Sequence, residues 1–167
     1  MENILNIYLD IDGVLAVWLK GMPLPIVRSD GYCMNLPPTE LMYWIRDHVI
    51  NNRRYRFRTM SAYFDDTTAL RDKNIWLDRY LPMIERKDRI FVPCGGPTKA
   101  YAVEKHIGRR LDKRDILIDD FSVNLIEWQN AGGTGIKYLN GVNGTKGSWK
   151  GPKSSDPEEM FKIIAMI

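Results

Sequence analysis

Short apolar runs alternate with amphipathic stretches along the chain. The runs predict five strands, at 7–10, 55–59, 89–93, 115–119 and 136–139. Helical spacing of apolar residues predicts helices over about 39–49, 66–80 and 98–107, a fourth around 123–128 that stops at 132–133, and a last one capped at 155 or 156. Alternation of this kind predicts an α/β fold, in which helices cover both faces of a parallel five-stranded sheet.

Two stretches lack a regular period. Trp18 to Leu36 is rich in Pro and Gly and is too long for a tight turn, which predicts a functional loop that acts as a lid. Asn140 to Lys153 is rich in Gly, Asn and Lys, which predicts a surface loop. The 167 residues are enough for one sizeable core, so we expect a single domain over 1–167.

The composition is that of an ordinary globular protein, with 44% hydrophobic and 27% charged residues. No apolar run is long enough to cross a membrane and no secretory signal is recognisable, so we expect a cytoplasmic protein without membrane contact. Cys33 and Cys94 have no metal-type spacing, which indicates reduced, structural thiols. A net charge of +3 is too small to indicate nucleic-acid binding by itself.

Three arginines alternate along the predicted second strand. Arg54, Arg56 and Arg58 share one face, whereas Tyr55 and Phe57 share the other. Because arginine stems also cover apolar surface, we favour a strand whose first half is solvated over a basic binding face.

Polar side chains follow three of the predicted strands at their carboxyl ends. They are Asp10 and Asp12 after the first strand, Ser61 after the second, and Asp119 and Asp120 after the fourth; Lys99 begins the helix that follows the third strand. Because parallel strands place their carboxyl ends at one edge of the sheet, we expect these groups to meet in one crevice. Paired aspartates beside a turn are also common turn residues, which is the alternative for the first pair alone.

The chemistry of these groups is specific when they are taken together. Two carboxylates held close together need a cation or a shared proton, and hard oxygen ligands in an open site favour Mg²⁺. A carboxylate nucleophile, a metal, a hydroxyl and a lysine suit phosphoryl transfer through an aspartyl-phosphate, with the second carboxylate moving the leaving-group proton. An EF-hand is excluded, because its glycine belongs at the sixth position and Gly13 is fourth from Asp10.

The same residues resemble the four motifs of the haloacid dehalogenase (HAD) superfamily of phosphatases, in order. Asp10-Ile11-Asp12-Gly13-Val14-Leu15 resembles the first motif, Ser61 the second (with Thr59 as the other register), Lys99 the third and Ile118-Asp119-Asp120 the fourth. The resemblance implies a Rossmann-like fold, Asp10 as nucleophile, Asp12 as general acid and base, and Ser61 and Lys99 as phosphate ligands.

The resemblance also implies the metal ligands. They would be Asp10, the backbone carbonyl of Asp12, and an acid of the fourth motif, for which Asp120 is aligned, with Asp119 as a neighbouring ligand. Asn124 would orient the metal's water. Which of Asp119 and Asp120 binds directly stays open.

A narrower similarity covers about residues 4 to 140. The stretches 31–38, 74–77, 80–82 and 117–120 resemble the 5′(3′)-deoxyribonucleotidase group, and 124–128 with 131–136 resembles bacterial and phage proteins placed beside it. In that group a helical cap between the first two motifs encloses the nucleobase. Here only a reduced cap insertion at about 16–37 is present, and the segment 58–63 differs from the group's Thr-Ser-Pro. Trp18, Tyr32 or Tyr63 could stack on a base, although ordinary packing is favoured for each.

The expected function is a Mg²⁺-dependent phosphatase of a small phosphate ester, a nucleoside (deoxyribo)monophosphate. One alternative is a polynucleotide 3′-phosphatase, with Arg54, Arg56 and Arg58 or the loop from Lys146 to Lys153 on the nucleic-acid backbone. Another is a nucleotide-binding module without turnover. A homodimer in which a partner closes the site is a further expectation, taken from capless relatives.

Overall fold

Six parallel strands form the centre of the computed structural model, which describes residues 4–144 and 147–167. The strands are β1 (Leu5–Leu9), β2 (Tyr55–Tyr63), β3 (Arg89–Pro93), β4 (Asp115–Asp119), β5 (Thr134–Tyr138) and β6 (Lys153–Ser154). Their order across the sheet is β3-β2-β1-β4-β5-β6. The order reverses between β1 and β4, and doubly wound sheets bind ligands beyond the carboxyl ends of the strands at such a switch point.

The predicted strand number of five is wrong, because β6 falls at the end of the predicted surface loop. This strand has two residues, of which Lys153 is exposed and Ser154 is buried. It is held by backbone hydrogen bonds, from Lys137 N to Pro152 O at 3.0 Å and from Leu139 N to Ser154 O at 2.9 Å. A strand made by backbone pairing alone leaves no apolar run in the sequence to predict it.

Helices cover both faces of the sheet. They are α1 (Leu24–Val27), α2 (Glu40–Trp44), α3 (Ala69–Tyr80), α4 (Lys99–Ile107), α5 (Ser122–Asn130) and α6 (Pro157–Ala165). The stretch that follows α2, Ile45–Val49, is a π-helical turn that completes the predicted helix over 39–49. Among the described helices, none has the length and apolar character needed to cross a bilayer.

Two hydrophobic clusters lie on opposite faces of the sheet, which explains the near-continuous apolar runs. In β1, Ile7 and Leu9 belong to the cluster under α2, α3 and α6, whereas Tyr8 belongs to the cluster under α4 and α5. Successive side chains of a strand point to opposite faces, so a strand that is covered on both sides is apolar at every position. The sequence pattern and the layer order therefore agree.

Three arginines, Arg54 just before β2 and Arg56 and Arg58 within it, each donate a hydrogen bond to an acceptor of this chain. Arg58 is 6% exposed and donates to Asp88 at 3.0 Å and to Asn6 at 2.9 Å. Arg56 also donates to Asp88, at 3.1 Å, and Arg54 donates to a backbone carbonyl of α6 at 2.9 Å. Arg56 and Arg58 occupy the amino-terminal half of β2 and Arg54 precedes it, whereas the predicted site lies at the carboxyl ends of the strands.

The segment between β1 and α2 contains only α1 and a 3₁₀ turn at Cys33–Asn35. It is fastened to α3 and to the loop before it, since Trp76 Nε1 donates to Leu36 O at 2.8 Å and Gly31 N donates to Thr68 Oγ1 at 3.2 Å. An ion pair between Arg28 and Asp66 adds a third tie. The segment therefore lies against the end of the sheet where β1 stops.

We predict that Thr39→Ala destabilises the fold by about 1–2 kcal/mol. The buried Thr39 hydroxyl accepts from Met42 N at 3.2 Å at the start of α2 and donates to Val14 O at 2.6 Å, so it joins the helix to the loop after β1. Urea unfolding measures the loss. Thr39→Ser keeps the hydroxyl and should retain most of the stability; equal losses in both variants would contradict the hydrogen-bond explanation.

Candidate active site

The predicted site residues converge at the switch point of the sheet. Leu9 of β1 pairs with Ile118 of β4, and Asp10 N donates to Ile118 O at 3.1 Å. Asp10 therefore lies beside Asp119, the last residue of β4. Neighbouring parallel strands that end level with each other bring together carboxylates that are more than 100 residues apart in the chain.

Three carboxylates meet at this point, and an ammonium group bridges two of them. Oxygen atoms of Asp10, Asp119 and Asp120 all lie within 4.8 Å of one another, and all three residues are buried. The Lys99 ammonium lies 2.9 Å from Asp10 Oδ2 and 2.6 Å from Asp119 Oδ2. When all are ionised, two negative charges remain uncompensated in a buried site. A divalent cation would neutralise them, and carboxylate oxygens are the ligands that Mg²⁺ prefers.

Burial and charge shift the pKa values in this cluster. Burial raises the pKa of Asp119 to about 6, with the Asp10 carboxylate also raising it and Lys99 opposing. The pKa of Asp120 is raised by burial and by Asp10, against hydrogen bonds from Asn140 and Asn143. Burial would lower the pKa of Lys99, but the two carboxylates outweigh it and raise the pKa, so this lysine stays charged. A decrease in pH therefore protonates the carboxylates, whereas Lys99 is charged throughout.

Gly13 allows the loop after β1 to lie against Asp120. Its φ of +76° is in the left-handed region, and a Cβ built there would lie 2.4 Å from Asp120 Oδ2. Any side chain at this position would displace the Asp120 carboxylate. The glycine in the Asp-Ile-Asp-Gly stretch is therefore required both by the turn and by the packing of the site.

Asp12 belongs to a second group of polar atoms, around Lys73. Lys73 is 1% exposed. Its ammonium donates to Asp12 Oδ2 at 2.5 Å, to Ser61 Oγ at 2.9 Å and to Ala62 O at 2.6 Å. Burial would lower the pKa of Lys73, but Asp12 and Asp10 outweigh it and raise the pKa. Asp12 Oδ1 is buried and has no hydrogen-bond partner within 4–144 and 147–167.

Lys73 is the site residue that the sequence reasoning missed. The signal was present in α3, where Lys73 falls on the buried stripe with Ala69, Trp76 and Leu77. A lysine at a buried position of an amphipathic helix costs free energy unless its charge is matched. Such a position therefore indicates an acidic partner elsewhere in the chain, which here is Asp12.

The other predicted residues occupy distinct places. Ser61 lies inside β2, which continues to Tyr63 beyond the predicted end at Thr59, and its hydroxyl is 2.9 Å from Lys73. Thr59, the other register, is fully buried, and its hydroxyl has no hydrogen-bond partner in the described part of the chain. Asn124 donates to Asp119 Oδ2 at 2.9 Å, so it orients that carboxylate.

A small apolar cavity adjoins Asp12 and Lys73. Its volume is about 120 Å³. Besides these two charged residues, its walls are Trp18, Val27, Cys33, Ala62, Tyr63, Phe64, Ala69 and Cys94. The two cysteines are unpaired, as predicted. Burial raises the pKa of Cys33 to about 12, with Asp12 also raising it, so the thiol is neutral and contributes an apolar wall.

Two solved structures share the fold over nearly the whole chain. A D,D-heptose 1.7-bisphosphate phosphatase from B. bronchiseptica, complexed with magnesium and phosphate, gives a TM-score of 0.68 at 14% identity and covers 98% of this chain and 100% of its own. A HAD-superfamily hydrolase from Ehrlichia chaffeensis gives 0.57 at 12% identity, covering 99% and 98%. No protein-family model and no curated protein matches the sequence. At these identities the comparison confirms the predicted α/β fold, and it leaves the activity and the substrate open.

We predict that Gly13→Ala weakens the binding of a divalent cation by about 10–100-fold, because the added methyl group displaces Asp120. Gly21→Ala is the matched control, since Gly21 has a φ of +80° but nothing within 4 Å of its built Cβ. Both variants should lose about 1–2 kcal/mol of stability from the left-handed backbone. Titration with Mn²⁺ followed by electron paramagnetic resonance measures the affinity; equal weakening in both variants would contradict the close-approach argument.

We also predict that cation affinity falls as the pH decreases through about 6. Because the pKa of Asp119 is raised to about 6, its carboxyl holds a proton below that pH, and the proton must leave before the full negative charge is available to a cation. Mn²⁺ affinity measured between about pH 7 and pH 5 should fall by a few-fold or more, because the negative charge of a carboxylate beside the cation is lost. The drop should be smaller in Asp119→Asn. A wild-type affinity that does not change over this range would refute the prediction.

Proposed function

We propose that the protein is a Mg²⁺-dependent phosphomonoesterase that hydrolyses a nucleoside monophosphate through an aspartyl-phosphate. The observation that carries the proposal is the cluster of three buried carboxylates, two of which contact Lys99, together with Asp12 as a fourth carboxylate outside that cluster. The site therefore combines a place for a cation with a separate group for proton transfer. The magnesium and phosphate in the B. bronchiseptica phosphatase, which shares the fold, support this assignment.

The carboxylates of the site are suitable ligands for Mg²⁺. The hydrogen bonds of Asp119 and Asp120 differ, and the difference favours one of them as the direct ligand. Asp119 Oδ1 accepts from Phe121 N at 2.8 Å, and its Oδ2 accepts from Lys99 and Asn124. Among the described residues, two asparagine amides bond Asp120 Oδ2 and no donor bonds its Oδ1, so Oδ1 is available for a metal. Asp10 and Asp120 would thus hold the metal directly, with the Asp12 carbonyl as the resemblance implies, while Asp119 orients Lys99. When bound, Mg²⁺ supplies positive charge that stabilises the transferring phosphoryl group.

The proposed reaction has two steps, transfer of the phosphoryl group to Asp10 and its hydrolysis. In the first, an Asp10 carboxylate oxygen bonds to phosphorus as the bond from phosphorus to the ester oxygen breaks, and Asp12 donates a proton to the leaving alcohol. In the second, Asp12 takes a proton from water as the water oxygen bonds to phosphorus and the bond from phosphorus to the Asp10 oxygen breaks. This step releases phosphate and restores the Asp10 carboxylate. The unpartnered Asp12 Oδ1 suits this alternation, because no protein donor competes for it among the described residues.

Lys99, Ser61 and Lys73 would hold the phosphate and position the two aspartates. Lys99 contacts the proposed nucleophile itself, with its ammonium 2.9 Å from Asp10 Oδ2. Lys73 joins Asp12 to the Ser61 hydroxyl, so the acid and the hydroxyl donor keep a fixed relation. Both ammonium groups also offset the negative charge that phosphate brings into the site.

The cavity beside Asp12 supports a leaving group with an apolar ring. At about 120 Å³ it is close to the size of an apolar cavity that accepts benzene, so it encloses one ring and not a whole nucleoside. The segment between β1 and α2 contributes Trp18, Val27 and Cys33 to its walls, which suits the reduced cap proposed from the sequence. No cation other than Lys73 lines the described cavity, which disfavours a second phosphate group on the substrate.

The arginines give the polynucleotide alternative little support, because Arg58 is buried and Arg54 and Arg56 are paired away from the site. In the loop that it also invoked, Lys150 and Lys153 are exposed, and Lys146 lies outside the described residues. A homodimer stays a prediction, and the cavity wall from the β1–α2 segment already gives the site a partial cover from its own chain.

We predict phosphate release from nucleoside 5′- or 3′-monophosphates in the presence of Mg²⁺, with pyrimidines preferred over purines because the cavity encloses a single ring. The panel includes deoxyribo- and ribonucleotides, a 3′-phosphorylated oligonucleotide, simple sugar phosphates and a sugar bisphosphate. Asp10→Asn should reduce the rate by roughly 10⁴-fold or more.

Asn130→Ala, an exposed substitution remote from the site, serves as the control that should keep full activity. Release from the oligonucleotide alone would overturn the mononucleotide assignment. Tight nucleotide binding without release from any ester would leave a binding module.

A further inference from the structure

The chain returns to the metal-binding carboxylates immediately after β5. Asn140 Nδ2 donates to Asp120 Oδ2 at 2.7 Å and to Gly13 O, also at 2.7 Å. Asn143 Nδ2 donates to the same Asp120 oxygen at 2.6 Å. Residues 140–144, here named the clamp loop, therefore contact both Asp120 and the turn at Gly13.

Asn140 is the centre of the clamp loop. Its Oδ1 accepts from Val142 N at 2.9 Å and from Asn143 N at 3.2 Å, which folds the loop so that Asn143 reaches Asp120. With two bonds donated and two accepted, the hydrogen-bonding capacity of this amide is complete. An aspartate of the same shape could not donate to Asp120 and would repel it.

Lys137 fastens the far end of the clamp loop. Its ammonium, in a residue that is 1% exposed, donates to Ser122 Oγ at 2.7 Å and to Gly144 O at 3.2 Å. Lys137 is the register partner of Asp119, and Ser122 begins α5 just after Asp120. The lysine thus ties the clamp loop to the segment that carries both acids. Burying a cation against neutral oxygen atoms is costly, so these two bonds need to form.

We infer that the clamp loop, anchored by Lys137, sets the affinity of the site for its divalent cation by fixing the Asp120 carboxylate. The two amides hold Oδ2, and among the described residues no donor bonds Oδ1. A carboxylate that is already held in one orientation loses little freedom when it binds a metal, so the loop favours binding without touching the ion. The coupling is reciprocal, and a bound cation should slow hydrogen exchange of the Val142 and Asn143 amides.

The inference rests on the metal assignment of the proposed function, so its test reads metal binding directly. Mn²⁺ affinity is measured by electron paramagnetic resonance for the wild type, Asn143→Ala, Asn140→Ala and Lys137→Met. We expect a 10–100-fold weaker affinity in each variant, the usual effect of removing a group that orients a metal ligand. Asn130→Ala and Lys150→Met change exposed residues of the same types and should bind as the wild type does.

Two measurements distinguish a clamp loop that positions Asp120 from one that only stabilises the fold. They are the metal concentration for half-maximal activity and kcat at saturating metal. If the loop positions Asp120, the metal concentration for half-maximal activity rises in Asn143→Ala while kcat at saturating metal stays within a few-fold. Wild-type Mn²⁺ affinity in Asn143→Ala, or no Mn²⁺ binding by the wild-type protein, overturns the inference. Metal binding that weakens in the clamp variants, in a protein that releases phosphate from no ester, upholds the clamp and rejects the phosphatase.

Discussion

The contact of the Lys99 ammonium with Asp10 and Asp119 is the interaction on which the site depends. All three groups are buried, and none could remain charged there alone. Lys99 reaches the carboxylates because it begins α4, where Thr98 caps the helix by accepting from Tyr101 N at 3.1 Å. β1 and β4 supply the carboxylates because they are adjacent and end level. A change in strand order or in the start of α4 would separate the charges.

The turn after β1 divides the site into two halves. Asp10 joins Asp119, Asp120 and Lys99, where negative charge exceeds positive charge and a cation is required. Two residues on, Asp12 turns to Lys73, Ser61 and the apolar cavity, where charge is balanced and one carboxylate oxygen is unpartnered. Gly13 then brings the turn close to Asp120. A single short loop thus places Asp10 in the acidic cluster and Asp12 beside Lys73 and Ser61, the two positions that the proposed reaction needs.

Local signals were enough to predict much of this arrangement. The apolar run into Asp10, the run 115–119 and the glycine turn before Lys99 predicted which residues would meet, because parallel strands end at one edge of the sheet. Contacts made by burial or by backbone pairing could not be predicted in that way. Lys73 was hidden among ordinary helical residues, β6 has no apolar run, and the clamp loop reads as a polar surface loop until its asparagines are seen to bond Asp120.

The most direct test of the account is to look for a phosphoryl group on Asp10 during turnover. Reactions with Mg²⁺ and a nucleoside monophosphate would be quenched in acid within one turnover, digested and analysed by mass spectrometry. We expect phosphorylation of the peptide that contains Asp10 in the wild-type protein, and its loss in Asp10→Asn. Phosphate release at the wild-type rate from Asp10→Asn, or a phosphoryl group on another residue, would contradict it.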